Sequence, residues 1–147
     1  MRVLVQRVSE ASCTVDHKVI SKIGSGFLLL VGLTHTDTIE DVRYLAKKIA
    51  NLRIFEDENH KLNKSILDVK QEILSISQFT LYGDTVKGNR PSFTQALEPV
   101  KANELYLKLS EILETEYHIK VQNGAFGEHM EISLVNDGPV TLLLESK

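Results

Sequence analysis

Glu72-Ile73-Leu74-Ser75-Ile76-Ser77-Gln78-Phe79-Thr80-Leu81 is the stretch on which the fold turns. Its apolar run, Ile73, Leu74 and Ile76, reads as a central strand over 72–81. Ser77, Gln78 and Thr80 then stand at the mouth of that strand, with polar side chains and backbone N–H groups at its end. A second stretch, Gly138-Pro139-Val140-Thr141, puts a flexible Gly before the last Pro of the chain. Pro holds φ and has no N–H, so a Gly-Pro pair can present two carbonyls in a fixed direction. One stretch offers donors and a hydroxyl, the other acceptors. Together they can hold an ester and the amine beside it.

Outward from the central strand, residues 1–8 read as a strand buried on much of both faces. Ala11, Cys13 and Val15 alternate with polar residues, turn at Asp16-His17-Lys18 and return through Val19 and Ile20 as a hairpin. Gly24-Ser25-Gly26 leads into a buried strand, Phe27-Leu28-Leu29-Leu30-Val31. Ile39, Val42, Leu45, Ala46, Ile49 and Leu52 recur at helical spacing, which predicts a helix over 38–52 with Thr38 and Asp41 as its capping pair. A short strand over 53–55, a turn over 57–60 and a polar loop over 83–91 follow. Pro99 suits the first position of a second helix ending near Glu114. Segments 118–121, 128–135 and 139–144 read as three closing strands. Strands in runs with two helices give α/β or mixed α+β on a curved sheet.

A chain of 147 residues fits one domain, 1–147, and can bury roughly 68–70% of its unfolded surface. No apolar run approaches ~20 residues, so no membrane is expected as a partner. Arg2 and Arg7 interrupt the N-terminus, unlike the apolar core of a signal peptide. The single Cys excludes an internal disulfide and fits a reducing, cytoplasmic setting. A net charge of -3 argues against a protein that coats nucleic acid, but not against one that grips only an RNA end. Arg7, Lys61, Lys64, Lys87 and Arg90 are either a basic patch around a site or ordinary solvated charges.

Most candidate groups carry two readings. Thr80 is a hydroxyl for ester chemistry or a β-branched strand residue, and no His or acid stands at a spacing that marks its base. The backbone at Gln78, Phe79 and Thr80 suits an oxyanion better, since one fixed N–H donor is worth about 2.7–4 kcal/mol of barrier. Gly138-Pro139 is a fixed pair of carbonyls or a plain turn between two strands. Gly124-Ala125-Phe126-Gly127 is a close backbone approach or a loop bend, and Met130 is a pocket wall or core filler. Five scattered His and one Cys supply no metal site. Gly24-Ser25-Gly26 precedes a strand instead of opening a helix, and neither a Gly-x-Ser-x-Gly elbow nor a phosphate loop is present, so no cofactor is expected. Alternation sends Glu128 and His129 to opposite faces, and Cys13 reads as a buried structural thiol.

The same two stretches, Ser77-Gln78-Phe79-Thr80-Leu81 and Asn136-Asp137-Gly138-Pro139-Val140-Thr141, resemble the signature motifs of the D-aminoacyl-tRNA deacylases. The resemblance spans the chain, through Met1-Arg2-Val3-Leu4-Val5-Gln6-Arg7-Val8, Leu52 to Asp57 with Lys61-Leu62-Asn63, Lys87 to Phe93, and Gly124 to Met130. Leu62 stands where the family usually has Met, and His60 where a Gly often precedes Lys61. The resemblance implies a curved, β-barrel-like sheet core flanked by two main helices, as a homodimer with its active site at the dimer interface. It implies hydrolysis of the ester between a D-amino acid and tRNA by Ser77, Gln78, Phe79 and Thr80, largely through main-chain atoms and the 2′-hydroxyl of the terminal adenosine. Gly138, Pro139, Val140 and Thr141 would bind the substrate amine in the partner subunit and reject L side chains, the Gly-Pro peptide being cis. Gly124, Ala125, Phe126, Gly127 and Met130 would border the adenosine; Arg7, Lys87 and Arg90 would contact tRNA.

The expectation is a cofactor-free cytoplasmic hydrolase. Its partners would be the aminoacyl-tRNA 3′ end and a second copy of itself, with no other protein. Glycine, having no side chain to exclude, should also be removed from mischarged tRNA. The alternative is a non-catalytic dimeric nucleic-acid-binding module on the same fold; a third reading is an esterase for free D-aminoacyl esters.

Overall fold

The computed structural model describes residues Met1–Lys147. β1 (Arg2–Val15) is one continuous strand, although the sequence suggested a strand over 1–8 and a separate hairpin arm. Asp16 and His17, both at positive φ, turn it tightly into β2 (Lys18–Ile23). β3 (Gly26–Gly32) precedes α1 (Ile39–Asn51), whose start is fixed by the Thr38 N–H donating to the Asp41 carboxylate at 2.8 Å. A small hairpin, β4 (Phe55–Glu56) and β5 (Leu62–Lys64), follows. α2 (Ile66–Val69) is a third helix that the sequence reading did not include, capped reciprocally by Ser65 and Asp68. β6 (Glu72–Ser77), α3 (Pro99–Thr115), β7 (Val121–Asn123) and β8 (Glu131–Glu145) complete the chain.

The central strand ends at Ser77, not Leu81. The Gln78 N–H makes a last bond to the Val31 carbonyl at 2.7 Å, β3 stops at Gly32, and the chain winds into a 3-10 turn over Phe79–Tyr82. The last two closing strands are one, β8, because β1 pairs with both of its halves.

The main sheet runs β2-β1-β3-β6-β7, with β8 along the other side of β1. Pairings of β1 are antiparallel; β3–β6 and β6–β7 are parallel. The sheet curls until β7 meets β2, where the Gln122 side chain accepts from the Lys22 N–H at 3.0 Å and donates to the Lys22 carbonyl at 2.8 Å. A side chain thus blocks the gap in a nearly closed barrel. The molecule is mixed α+β, with a barrel-like sheet and flanking helices as expected.

Two cores result. Val8, Ala11, Cys13, Leu28, Leu74 and Ile76 fill the barrel. Val5, Phe27, Leu29, Leu45, Ile49 and Leu109 belong to the larger layer between sheet and helices. β3 feeds both, which is why its sequence is apolar without alternation. Burial pushes the Cys13 thiol pKa up, as suits a structural thiol. No helix is long and apolar enough to cross a membrane.

Candidate active site

β6 lies between β3 and β7, so Ser77 and Gln78 leave a strand held on both sides. The 3-10 turn that follows is closed by the Leu81 N–H to the Gln78 carbonyl (3.3 Å) and the Gly83 N–H to the Thr80 carbonyl (2.9 Å). The first amides of such a turn have no partner within it. Here the N–H groups of Phe79 and Thr80 donate to no acceptor in the chain. The turn is also braced from behind. Arg2 donates from Nη1 to the Leu81 carbonyl at 2.8 Å, lies 4.6 Å from the Tyr82 ring centre and pairs with Glu145 at 3.3 Å. The Gln78 side-chain amide donates to Thr80 Oγ1, so the hydroxyl is engaged by its neighbour and meets no base.

A mostly apolar cavity of about 400 Å³ opens beside Ser77, Gln78 and Phe79. Phe93 meets Phe79 edge-on, with ring centres 5.1 Å apart. Phe126 closes another side against Tyr106, whose hydroxyl donates to the Ser75 carbonyl at 2.6 Å. Burial pushes that phenol up to about 12. The one ionisable lining group is Glu98, and its carboxylate caps α3 by accepting from the Val100 and Lys101 amides, both at 2.9 Å. Phe79 is part of the cavity wall and Thr80 stands next to it in the chain; the wall is flat and apolar and carries no uncommitted acid or base.

Of the 124–127 segment, Phe126 and Gly127 reach the cavity and Gly124 and Ala125 do not. The close approach is real at Gly124: a Cβ there would stand 2.7 Å from Met130 Sδ and 2.9 Å from Ile76 Cδ1. Met130 is absent from the cavity wall, contrary to expectation; it packs against the barrel core because Gly124 leaves room for its sulfur. Lys87 and Arg90 are exposed in the loop after the turn and form no ion pair.

Gly138 and Pro139 lie in a bulge of β8. Gln6 pairs with Thr141 and Val8 with Asn136, so Arg7 alone faces the four residues between. Gly138 has φ +147°, and its peptide bond to Pro139 is cis. Arg7 is 5% exposed, and its guanidinium donates from Nε to the Asp137 carbonyl (2.8 Å) and from Nη1 to the Ile54 carbonyl (2.7 Å). Asn136 grips Val140 at both N–H (2.8 Å) and carbonyl (3.2 Å), and donates to Thr141 Oγ1 at 2.9 Å. Arg7, read from sequence as an RNA contact, is thus buried behind the bulge with Nε and Nη1 on carbonyls and the Asp137 carboxylate 3.7 Å from Nε.

One chain does not bring its two motifs together. β1 and β3 separate β8 from β6, about 14 Å sideways at ordinary strand spacing. Ser77 is level with Val31 and Val3, whereas the bulge is level with Arg7. The outer side of β8 leaves Val135, Leu142 and Leu143 exposed. Sequence reasoning missed Arg2, the bracing role of Arg7 and the cavity wall from Phe93 to Pro99. Pro91 and Pro99, bracketing that wall, were its one visible signal.

Known proteins share the sequence and the fold of this chain. The family model described as D-Tyr-tRNA(Tyr) deacylase matches residues 4–145. A D-aminoacyl-tRNA deacylase of Bacillus cytotoxicus is 57% identical over 147 residues, covering all of both chains. A solved structure described as c-Myc DNA Unwinding Element Binding Protein superposes with a TM-score of 0.95 at 42% identity, covering 100% of this chain and 99% of that one. Another, described as a probable eukaryotic D-amino acid tRNA deacylase, shares the fold at a TM-score of 0.84 and 18% identity over 98% of each chain.

Proposed function

The chain belongs to the D-Tyr-tRNA(Tyr) deacylase family and is a D-aminoacyl-tRNA deacylase, a hydrolase acting on aminoacyl-tRNA; from that premise we propose how its residues divide the work. The observation that carries the proposal is the pair of unpartnered amides at Phe79 and Thr80, beside a cavity with no free acid or base. These amides take the ester carbonyl oxygen as it becomes an oxyanion. Water adds to the carbonyl carbon, the ester C–O bond breaks, and the 3′-oxygen leaves protonated. The substrate's own 2′-hydroxyl, not a side chain, assists the proton transfer. Ser77 and Gln78 shape the site, and the terminal adenine enters the cavity among Phe79, Phe93 and Phe126. Lys87 and Arg90 meet the RNA beyond it.

Chiral selection comes from a second copy of the chain. Its Gly138 and Pro139 carbonyls, backed by Val140 and Thr141, hold the substrate amine and collide with an L side chain. Two features support this: the motifs lie apart within one chain, and β8 is exposed along its outer side. Glycine has nothing to exclude, so glycyl-tRNA is also a substrate. The setting is the cytoplasm, where translation supplies these esters. Purified protein mixed with D-Tyr-tRNA tests the reading. Wild type should release the amino acid, and Ala96→Trp, which fills the cavity, should not. Glycyl-tRNA decaying equally with and without protein would remove that extension.

A second reading, a non-catalytic nucleic-acid-binding module, is favoured by the description of the relative at 42% identity. Duplex DNA binding at physiological salt without ester turnover would select it.

A further inference from the structure

The outer face of α1 has no part in the site described so far. Tyr44, Lys47, Lys48, Asn51, Leu52 and Arg53 line one open groove of about 580 Å³, and no carboxylate is among them. Lys47 and Lys48 form no ion pair, and Arg53 gives its donors to the neutral Asn63. Neighbouring cations are neutralised, Arg43 by Glu116 at 2.7 Å and Lys64 by Glu58 at 2.8 Å. Three cations without an ion pair in one groove are a local excess on a chain whose net charge is -3. The Lys48 ammonium lies 5.7 Å from the centre of the half-exposed Tyr44 ring, so the groove also offers a flat aromatic face. Cations beside an aromatic ring suit a nucleic-acid backbone with a base near it.

The groove is joined to the Gly138-Pro139 bulge by a single side chain. Arg53 precedes Ile54, whose carbonyl accepts from Arg7, and the same guanidinium holds the Asp137 carbonyl. We propose that the Lys47–Lys48–Arg53 groove of one protomer takes the backbone phosphates of the tRNA whose 3′ ester sits in the other protomer's cavity. The placement rests on the reading that the bulge works in the partner's site. RNA emerging from that cavity then passes the bulge and meets the groove beside it.

The test compares two substrates of the intact protein: D-Tyr-tRNA, and the D-tyrosyl ester of adenosine, which lacks the RNA backbone. In the Lys47→Glu/Lys48→Glu variant, kcat/KM for D-Tyr-tRNA should fall about tenfold or more, and the salt slope of that reaction should flatten by about 1–2. Turnover of the adenosine ester should not change. No loss on tRNA, or equal loss on both substrates, overturns the proposal. Mixed dimers with Ala96→Trp, which blocks one cavity, test the placement. With both changes in one chain the open site faces the altered groove, and tRNA turnover should drop. With the changes in different chains it should match that of a dimer carrying Ala96→Trp alone in one chain. The reverse pattern would keep RNA binding by α1 and overturn its assignment across subunits, and with it the cross-subunit reading.

Discussion

Compared with the bulge at Gly138-Pro139, the turn after β6 is braced and walled by its own chain. Its strand is paired on both sides, its end is pinned by Arg2, and its cavity is walled by the same chain. The bulge stands on a strand whose outer side is bare, and it is rigid for another reason: Arg7 and Asn136 bind its backbone from within. Both are held firmly, but the turn stands beside the cavity of about 400 Å³ and the bulge takes no part in its wall. On the proposed reading, a second copy of the chain supplies the half that each region lacks. Rigid backbone, not side-chain acid or base, is what the two regions share.

That contrast can be broken at either region. The largest effect should come from Gly26→Ala, where a Cβ would stand 1.8 Å from the Glu72 carbonyl oxygen that pairs β3 with β6. Urea unfolding should show a loss of about 3 kcal/mol or more, because the turn's supporting strand belongs to the global core. Arg7→Ala leaves the buried Ile54 carbonyl and the part-buried Asp137 carbonyl without their charged donor. It should cost about 2–4 kcal/mol, and hydrolysis of L-Tyr-tRNA relative to D-Tyr-tRNA should rise. Gly138→Ala forces a side chain to φ +147° with its Cβ 2.8 Å from the Val140 nitrogen. About 1–3 kcal/mol of local strain should appear chiefly as lost chiral discrimination, with melting changed less than in Arg7→Ala. The smallest effect should be Thr80→Ala. If amides carry the chemistry, kcat on D-Tyr-tRNA should change less than about threefold, under ~0.7 kcal/mol of barrier. A thousandfold drop would return the hydroxyl to the mechanism.

What the sequence disclosed follows the range of the forces involved. The α1 cap, the Asp16-His17 hairpin and the doubly buried β3 depend on neighbours within a few residues and were legible. The end of β6 was not, because it is set by where β3 runs out, and Phe79-Thr80-Leu81 is as compatible with a strand as with a turn. The single β8 was hidden by Gly138-Pro139, which reads as a break until β1 pairs with both sides of it. Arg7 looked like a surface cation because nothing local reveals that two distant carbonyls, at Ile54 and Asp137, converge on it. The apolar cavity wall at Phe93 and Leu97 is assembled from loop residues with no periodicity.

The most direct measurement is side-by-side deacylation of D-Tyr-tRNA and L-Tyr-tRNA by the purified protein. Rapid loss of the D ester with the L ester spared is the expected result. Hydrolysis of both at similar rates would contradict the Gly138-Pro139 gate, and hydrolysis of neither would contradict the amide-based site itself.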